Sequence, residues 1–320
     1  MEPPWLLITD GSHNEKQYLY NISDNRYHRL DGFPEFHDMK VIASAYGWLV
    51  LVNHKTDYTY IWNPISMAKI DIGQLNDAYL FKKCVMSKPP SEPDCRLVFS
   101  AMNGYDRAFL QLVDDDTIIQ KYLPDDDTYR DEMLMSVVSF RGSIYGFLHP
   151  IRCFVVTIDF DNETVQFRPI LKLDQQPWDL PWASREWAVL WDDHMIESPC
   201  GQELLLVRKM YVCQFSHDKF DFLVFRVDVD RKECVELLDS IGDRAIFISH
   251  CGGDFCCSSS LDNTGIFRRN CIYYTVEQGM SRSVYVYDFN YRSTTLLLPC
   301  SAARLTRSAN YWVERRVFGI

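Results

Sequence analysis

The chain has 320 residues, 47% of them hydrophobic, and a formal net charge of -11. That apolar share is ample for a globular core, and all-β architectures of this length often form one domain. The acidic balance argues against non-specific nucleic-acid binding, which needs clustered Lys and Arg to neutralise phosphates.

The N-terminus, Met1-Glu2-Pro3-Pro4, has neither a basic n-region nor a long apolar h-region, so no secretory signal is expected. No stretch approaches the roughly 18 apolar residues that cross a bilayer, so no membrane partner is expected. The 11 cysteines have no regular spacing, and several fall inside apolar runs (Cys84, Cys153, Cys234, Cys271). Reduced, buried thiols of a nuclear or cytoplasmic protein account for this pattern better than disulfides do. The sequons at Asn21 and Asn162 are then chance matches.

Taken in chain order, short apolar runs alternate with polar turns. The first cassette holds three runs, Trp5–Thr9, Gln17–Ile22 and Tyr27–Leu30. The next reads as four strands: inner Lys40–Tyr46, second Trp48–Asn53, third Tyr58–Trp62 and outer Ala68–Ile72. Then come Lys82–Met86, Arg96–Ala101, Ala108–Val113 and Thr117–Leu123, followed by Met133–Phe140, Ser143–Leu148, Phe154–Phe160 and Thr164–Ile170. After a long connection the pattern resumes with His194–Glu197, Glu203–Tyr211, Phe222–Val229 and Cys234–Leu238. The last full cassette is Ala245–Ser249 (inner), Cys271–Val276, Val284–Phe289 and Thr294–Leu298. Val284-Tyr285-Val286-Tyr287 alternates as a strand should, whereas Leu204–Val207 is apolar on both faces, as expected of a strand buried between neighbours. No segment carries an apolar stripe of helical period and length.

Six runs starting at Trp5, Trp48, Arg96, Ser143, Glu203 and Cys271 are separated by 43, 48, 47, 60 and 68 residues. Propeller blades recur at roughly 40–50 residues, so the last two intervals imply insertions. The orphan run Tyr311-Trp312-Val313-Glu314 supplies the strand that the first cassette lacks. Pairing it there removes an open sheet edge. The prediction is an all-β, six-bladed β-propeller closed by pairing the C-terminal strand with the N-terminal blade. Residues 1–320 then form one domain, with blades near 5–32 plus 311–317, 40–73, 82–123, 133–171, 193–239 and 244–299.

An ordered series of short motifs has a known counterpart. Trp62-Asn63-Pro64 is followed by Gly201-Gln202-Glu203-Leu204-Leu205-Leu206-Val207, Phe225-Arg226-Val227-Asp228 and Gly242-Asp243-Arg244-Ala245-Ile246-Phe247. Asn270-Cys271-Ile272-Tyr273-Tyr274 and Val286-Tyr287-Asp288 complete it. In this order, from about Trp5 to Trp312, the chain resembles the plant F-box-associated β-propeller family, which includes the KIB-type F-box proteins. The resemblance implies that the propeller holds a protein partner, a ubiquitination substrate or a signalling kinase, for a ubiquitin ligase. Family members usually carry an F-box that docks on Skp1. Here the first strand begins at Trp5, which leaves no room for an F-box, so Skp1 binding is not expected.

The motifs also have local readings. Asn63-Pro64 is a turn, and Asp243 accepts local hydrogen bonds while Arg244 pairs with a neighbouring carboxylate. Asp114-Asp115-Asp116 and Asp125-Asp126-Asp127 lack the spaced Asp-x-Asp-x-Asp-Gly pattern of a Ca²⁺ loop and read as a solvated rim. Cys251, Cys256 and Cys257 near His250 and Cys271 lack the second knuckle of a structural zinc site. No nucleophile elbow or phosphate loop is present. His194, on an apolar strand, reads as a satisfied core histidine. Glu197 and Lys82 are candidates for the central channel, though sequence does not set their register. The two insertions carry the residue types most enriched at binding hot spots: Trp178 and Trp182 in Leu171–Ser184, and Arg268 and Arg269 in Cys251–Arg269. The sequence therefore predicts a non-enzymatic interaction module without cofactor or metal. The alternative is a catalytic or small-molecule-binding propeller with its site at the channel.

Overall fold

A computed structural model describes residues 4–10, 16–22, 26–30, 33–53, 55–101, 107–112, 117–123, 129, 131–149, 153–161, 164–173, 191–211, 220–232, 235–249, 253–258, 268–278, 281–298 and 309–313. Six antiparallel or mixed sheets stand as blades around a central axis. Blade one contains β1 (Trp5–Asp10), β2 (Lys16–Asn21) and β3 (Arg26–Leu30). Blade two is β4 (Met39–Ala45), β5 (Trp48–Asn53), β6 (Tyr58–Trp62) and β7 (Lys69–Gln74). Blade three is β8 (Phe81–Met86), β9 (Cys95–Ala101), β10 (Arg107–Leu112) and β11 (Ile118–Lys121). Blade four is β12 (Met133–Phe140), β13 (Ser143–His149), β14 (Phe154–Phe160) and β15 (Val165–Lys172). Blade five is β16 (Trp191–Glu197), β17 (Leu204–Tyr211), β18 (Phe220–Val227) and β19 (Val235–Leu237).

Blade six departs from the predicted four strands. It holds β20 (Arg244–Ile248), β21 (Phe255–Ser258), β22 (Cys271–Gln278), β23 (Ser281–Asp288) and β24 (Ser293–Leu298), in the spatial order β21-β20-β22-β23-β24. The strand expected to be innermost, Ala245–Ser249, lies one place out and runs parallel to β22. The innermost place belongs to Phe255–Ser258, from a stretch expected to be a loop, which pairs antiparallel with β20. Because β21 is antiparallel to β20 and β20 is parallel to β22, β21 has the orientation that an inner strand has in every other blade.

The last strand, β25 (Ala309–Val313), pairs antiparallel with β1, Trp5 opposite Val313 and Leu7 opposite Tyr311. Its Trp312 is fully buried, and its indole Nε1–H donates to the Ile248 carbonyl at 3.1 Å. The strand that completes blade one is thus also keyed into blade six.

Strand alternation explains the core. Among the described residues, the buried apolar side chains form six clusters, one in each gap between blades. Leu204 and Leu206 of β17 face blade four, while Leu205 and Val207 face blade six. In β5, Leu49 and Leu51 face blade one, and Val50 and Val52 face blade three. A second strand therefore carries apolar residues in succession, because consecutive side chains enter two different interfaces. Polar clasps join the rims of neighbouring blades. Arg141, at the β12–β13 turn, donates to the Gly201 and Gln202 carbonyls and to Asp230 of blade five. Arg244 of blade six pairs with Glu203 of blade five at 2.6 Å, the neighbouring carboxylate that the sequence called for. Asn63 caps its turn by accepting from the Ile65 and Ser66 amides at 3.0 Å each.

Candidate functional site

The channel is walled by β25, β4, β8, β12, β16 and β21. At three of these inner strands the register slips by one residue: between Val41 and Ala43, Phe81 and Lys83, and Leu134 and Ser136. A bulge re-aims the side chains around it. At β8 the extra residue is Lys82, so two successive lysines both reach partners across the channel. Lys82 Nζ lies 2.5 Å from Asp192 of β16. Lys83 Nζ pairs with Asp254, just ahead of β21, and lies 2.6 Å from Nδ1 of His194.

The alternation of β16 sorts its own charges. Asp192 and His194 share one face, which also carries Lys209, the β17 residue opposite Asp192. Asp193 points the other way and meets its cross-strand partner Arg208 at 2.7 Å, both essentially without exposure. The Arg208 guanidinium also sits over the Phe147 ring of blade four. Lys209 is buried with its ammonium 4.3 Å from the centroid of Phe220 and 5.2 Å from that of Tyr274, so two ring faces share its charge.

His194 is fully buried. Its Nδ1 sits between Lys83 Nζ at 2.6 Å and an Asp254 oxygen at 2.9 Å, and its other ring nitrogen, Nε2, turns toward Asp192. That nitrogen faces Asp192 at 3.4 Å without meeting hydrogen-bond geometry, which leaves it formally unsatisfied. Asp254 gathers three partners: Lys83 and His194 Nδ1 (2.9 Å) on one oxygen, and the Ser249 amide (3.2 Å) on the other. Burial alone would raise both channel carboxyls. Lys83 and His194 outweigh it and hold Asp254 at about 2, while Lys82, with His194 and Lys83, holds Asp192 well below the usual carboxylate range. Burial pushes the Lys209 ammonium down to about 8 despite Asp192 nearby.

Beside this network, toward the ends of the inner strands, opens a cavity of about 220 Å³. Its lining comes from β4, β8, β12, β16 and the β21 segment. Lys83 and Asp254 belong to it, as do Ser44, Tyr46, Ser139 and Glu197. Glu197 is half-buried; burial raises its carboxyl, and the Arg141 charge partly offsets this.

Of the sequence-predicted contact residues, Arg268 and Arg269 are exposed on the approach to β22, and the Arg268 amide donates to the Tyr273 hydroxyl at 3.0 Å. Trp178 and Trp182 lie outside the described residues, as do the two Asp triplets, Cys251 and His250. Cys256, Cys257 and Cys271 are buried thiols whose acidity burial suppresses, to about 12, 12 and 11. Among the described residues no group of His, Cys, Asp and Glu is arranged to hold a metal. Lys82 and Glu197 reach the channel side, as sequence allowed. Sequence reasoning passed over Lys83, Asp192, Lys209 and Asp254. The signal available was a Lys-Lys pair and an Asp-Asp-His run inside otherwise apolar strands.

A comparison with curated proteins returned no match. Solved structures with similar folds include one described as a nidogen/laminin complex (TM-score 0.48, 9% identity, covering 97% of each chain). Others are virginiamycin B lyase from Staphylococcus aureus (0.42, 10%, 93% of this chain and 85% of that one) and the Cps50 (Swd1) β-propeller domain from Myceliophteria thermophila (0.41, 8%, 93% and 87%). The KIB1-4 beta-propeller family model matches residues 19–288, most of the six blades. The chain therefore belongs to the KIB1-4 beta-propeller family.

Proposed function

We propose that the chain is a non-enzymatic protein-interaction propeller that acts in the nucleus or cytoplasm and presents a partner to a ubiquitin ligase. The observation that carries this reading is the commitment of the channel charges to one another. Lys82, Lys83, Asp192, Asp254 and His194 form one buried network, and Arg208 and Asp193 form another. Such networks hold inner strands in place and leave recognition to the loop faces, where Arg268 and Arg269 are exposed. The partner expected from the family is a ubiquitination substrate or a signalling kinase. Proximity labelling in plant cells tests this: a reproducible partner lost from an Arg268→Ala/Arg269→Ala variant supports it. Retention of Skp1 in a pull-down separates a ligase adaptor from other interaction roles.

A second reading, a small-molecule or catalytic site in the channel, draws support from the same convergence of titratable groups beside a cavity. A metabolite panel that raises the melting temperature of the wild type, but not of K83M, would select it over the first.

A further inference from the structure

The cavity at the channel mouth has a chemical bias that the interaction reading does not use. Its volume of about 220 Å³ lies below the roughly 300–1,000 Å³ of pockets that take whole small ligands, and suits a single inserted side chain. The walls are largely apolar: Ala43, Ala45, Val85, Met86, Val137 and Met195. The donors of Tyr46, Ser139 and Lys83 in the lining already have acceptors. The Tyr46 and Ser139 hydroxyls each reach the Ser87 carbonyl in long contacts of 3.4 and 3.5 Å. Lys83 is drawn to Asp254 and His194 at the floor.

Glu197 differs from all of these. Its side chain lies at the cavity, one oxygen beside the β16–β17 turn, where a Cβ added at Gly201 would approach it to 3.3 Å. Among the described residues it has neither a hydrogen-bond nor an ion-pair partner. The nearby Arg141 is engaged by Asp230 and two carbonyls. Partly buried carboxylates are normally paired, so an apolar mouth with one acid that lacks a direct partner among the described residues is complementary to a cation on an apolar stem. Lysine and arginine side chains have that form, and the chain's net charge of -11 attracts basic surfaces.

We infer that the channel mouth receives a lysine or arginine side chain of a partner protein, with Glu197 as its counter-ion. This rests on the interaction reading and names the chemistry of the partner. The insertion would be end-on, the aliphatic stem against Met86, Val137 and Met195 and the charge at Glu197.

The test is panning of a random peptide library displayed on phage against the wild-type propeller and against E197Q. Wild type is expected to enrich peptides with Lys or Arg at one position by about tenfold or more over E197Q. Replacing that residue by norleucine in the synthetic peptide should weaken Kd, read by fluorescence anisotropy, by at least about tenfold. S139R, which places a cation in the mouth, should abolish the same binding. It also serves as the test should E197Q fold poorly by its melting curve. E236Q, on the exposed rim of blade five, should leave binding unchanged. Selected peptides without a basic residue, or equal binding by E197Q, overturn this inference and leave the interaction reading standing. Recovery of no peptide also overturns it, and the interaction reading is then judged by proximity labelling alone. Spermidine binding as tightly as the peptide would make the mouth a free-amine site and overturn the assignment to a protein.

Discussion

Blades two and six solve their inner edges differently. Blade two follows chain order, β4 to β7, from the axis outward. Blade six inserts β20 as an extra strand and sends the chain back to place β21 at the axis. Regular meandering delivers four strands with short turns. The detour in blade six brings Asp254 to the channel, opposite Lys83, and gives Trp312 of the closing strand a carbonyl and a serine to hold. The irregular connection in blade six thus adds long-range polar contacts to those that the regular blades make across the channel and along their rims.

That contrast can be broken in graded steps. The largest effect is expected for Trp312→Ala. Loss of a buried indole costs about 3–5 kcal/mol, and the orphaned Ile248 carbonyl adds to it. Trp62→Ala in blade two removes a similarly buried ring without breaking ring closure. Urea denaturation should rank Trp312→Ala as the more damaging, and the reverse order would deny β25 its role as a latch.

Next comes Asp254→Ala, which strands Lys83 and His194 in the interior at about 3–5 kcal/mol. In blade two, Asp71→Ala removes only exposed contacts, with the Tyr58 hydroxyl and the Gly73 amide, and should stay within about 0.5 kcal/mol. Equal midpoints for the two variants would show that the channel network does not lock the blades.

A subtler comparison uses glycines. At Gly253 an added Cβ would sit 2.6 Å from the Phe255 ring, so Gly253→Ala must displace that buried ring, at about 1–3 kcal/mol. Gly73 in blade two has open space but φ +85, so Gly73→Ala is penalised only by backbone strain, about 1–2 kcal/mol. Thermal melts of the two variants measure whether crowding or dihedral strain dominates.

The smallest effects are with pH. Asp254 is held at about 2 in the folded state against an unfolded value of roughly 3.9, so its contribution is complete above about pH 4. It is lost as pH falls toward about 2, and D254N should flatten the urea midpoint in that window. At alkaline pH the sign reverses for thiols. Cys256, Cys257 and Cys271 of blade six hold their protons to about 11–12, while unfolded thiols ionise near roughly 8.5. Stability from these groups therefore falls above about pH 8.5. Lys209, with its folded value near 8, works in the opposite direction up to roughly 10.4. Blade two contains no cysteine, so hydrogen exchange at alkaline pH should loosen blade six ahead of blade two.

Local pattern and spacing were enough to read the propeller itself. Leu204–Val207 reads as buried on both sides because its consecutive apolar residues have no polar alternate, and Tyr311-Trp312-Val313 reads as the missing strand because an open blade needs one. The candidate site was less legible. Lys82 and Glu197 could be nominated for the channel, yet a one-residue bulge decides where Lys82 and Lys83 point. Phe255-Cys256-Cys257-Ser258 is too short and too close to glycines to announce a strand. His194 reads as a core histidine, and its position between Lys83 and Asp254 shows what keeps it there.

By itself the sequence determined a six-bladed all-β ring, because period-two alternation and turn chemistry act between residues close along the chain. Only the tertiary structure decided that Lys83, His194 and Asp254, separated by more than a hundred residues from first to last, meet at one point. It also decided that Glu197 is left without a partner among the described residues. Those outcomes depend on register, bulges and a parallel strand pair, which are set when blades pack against one another around the axis.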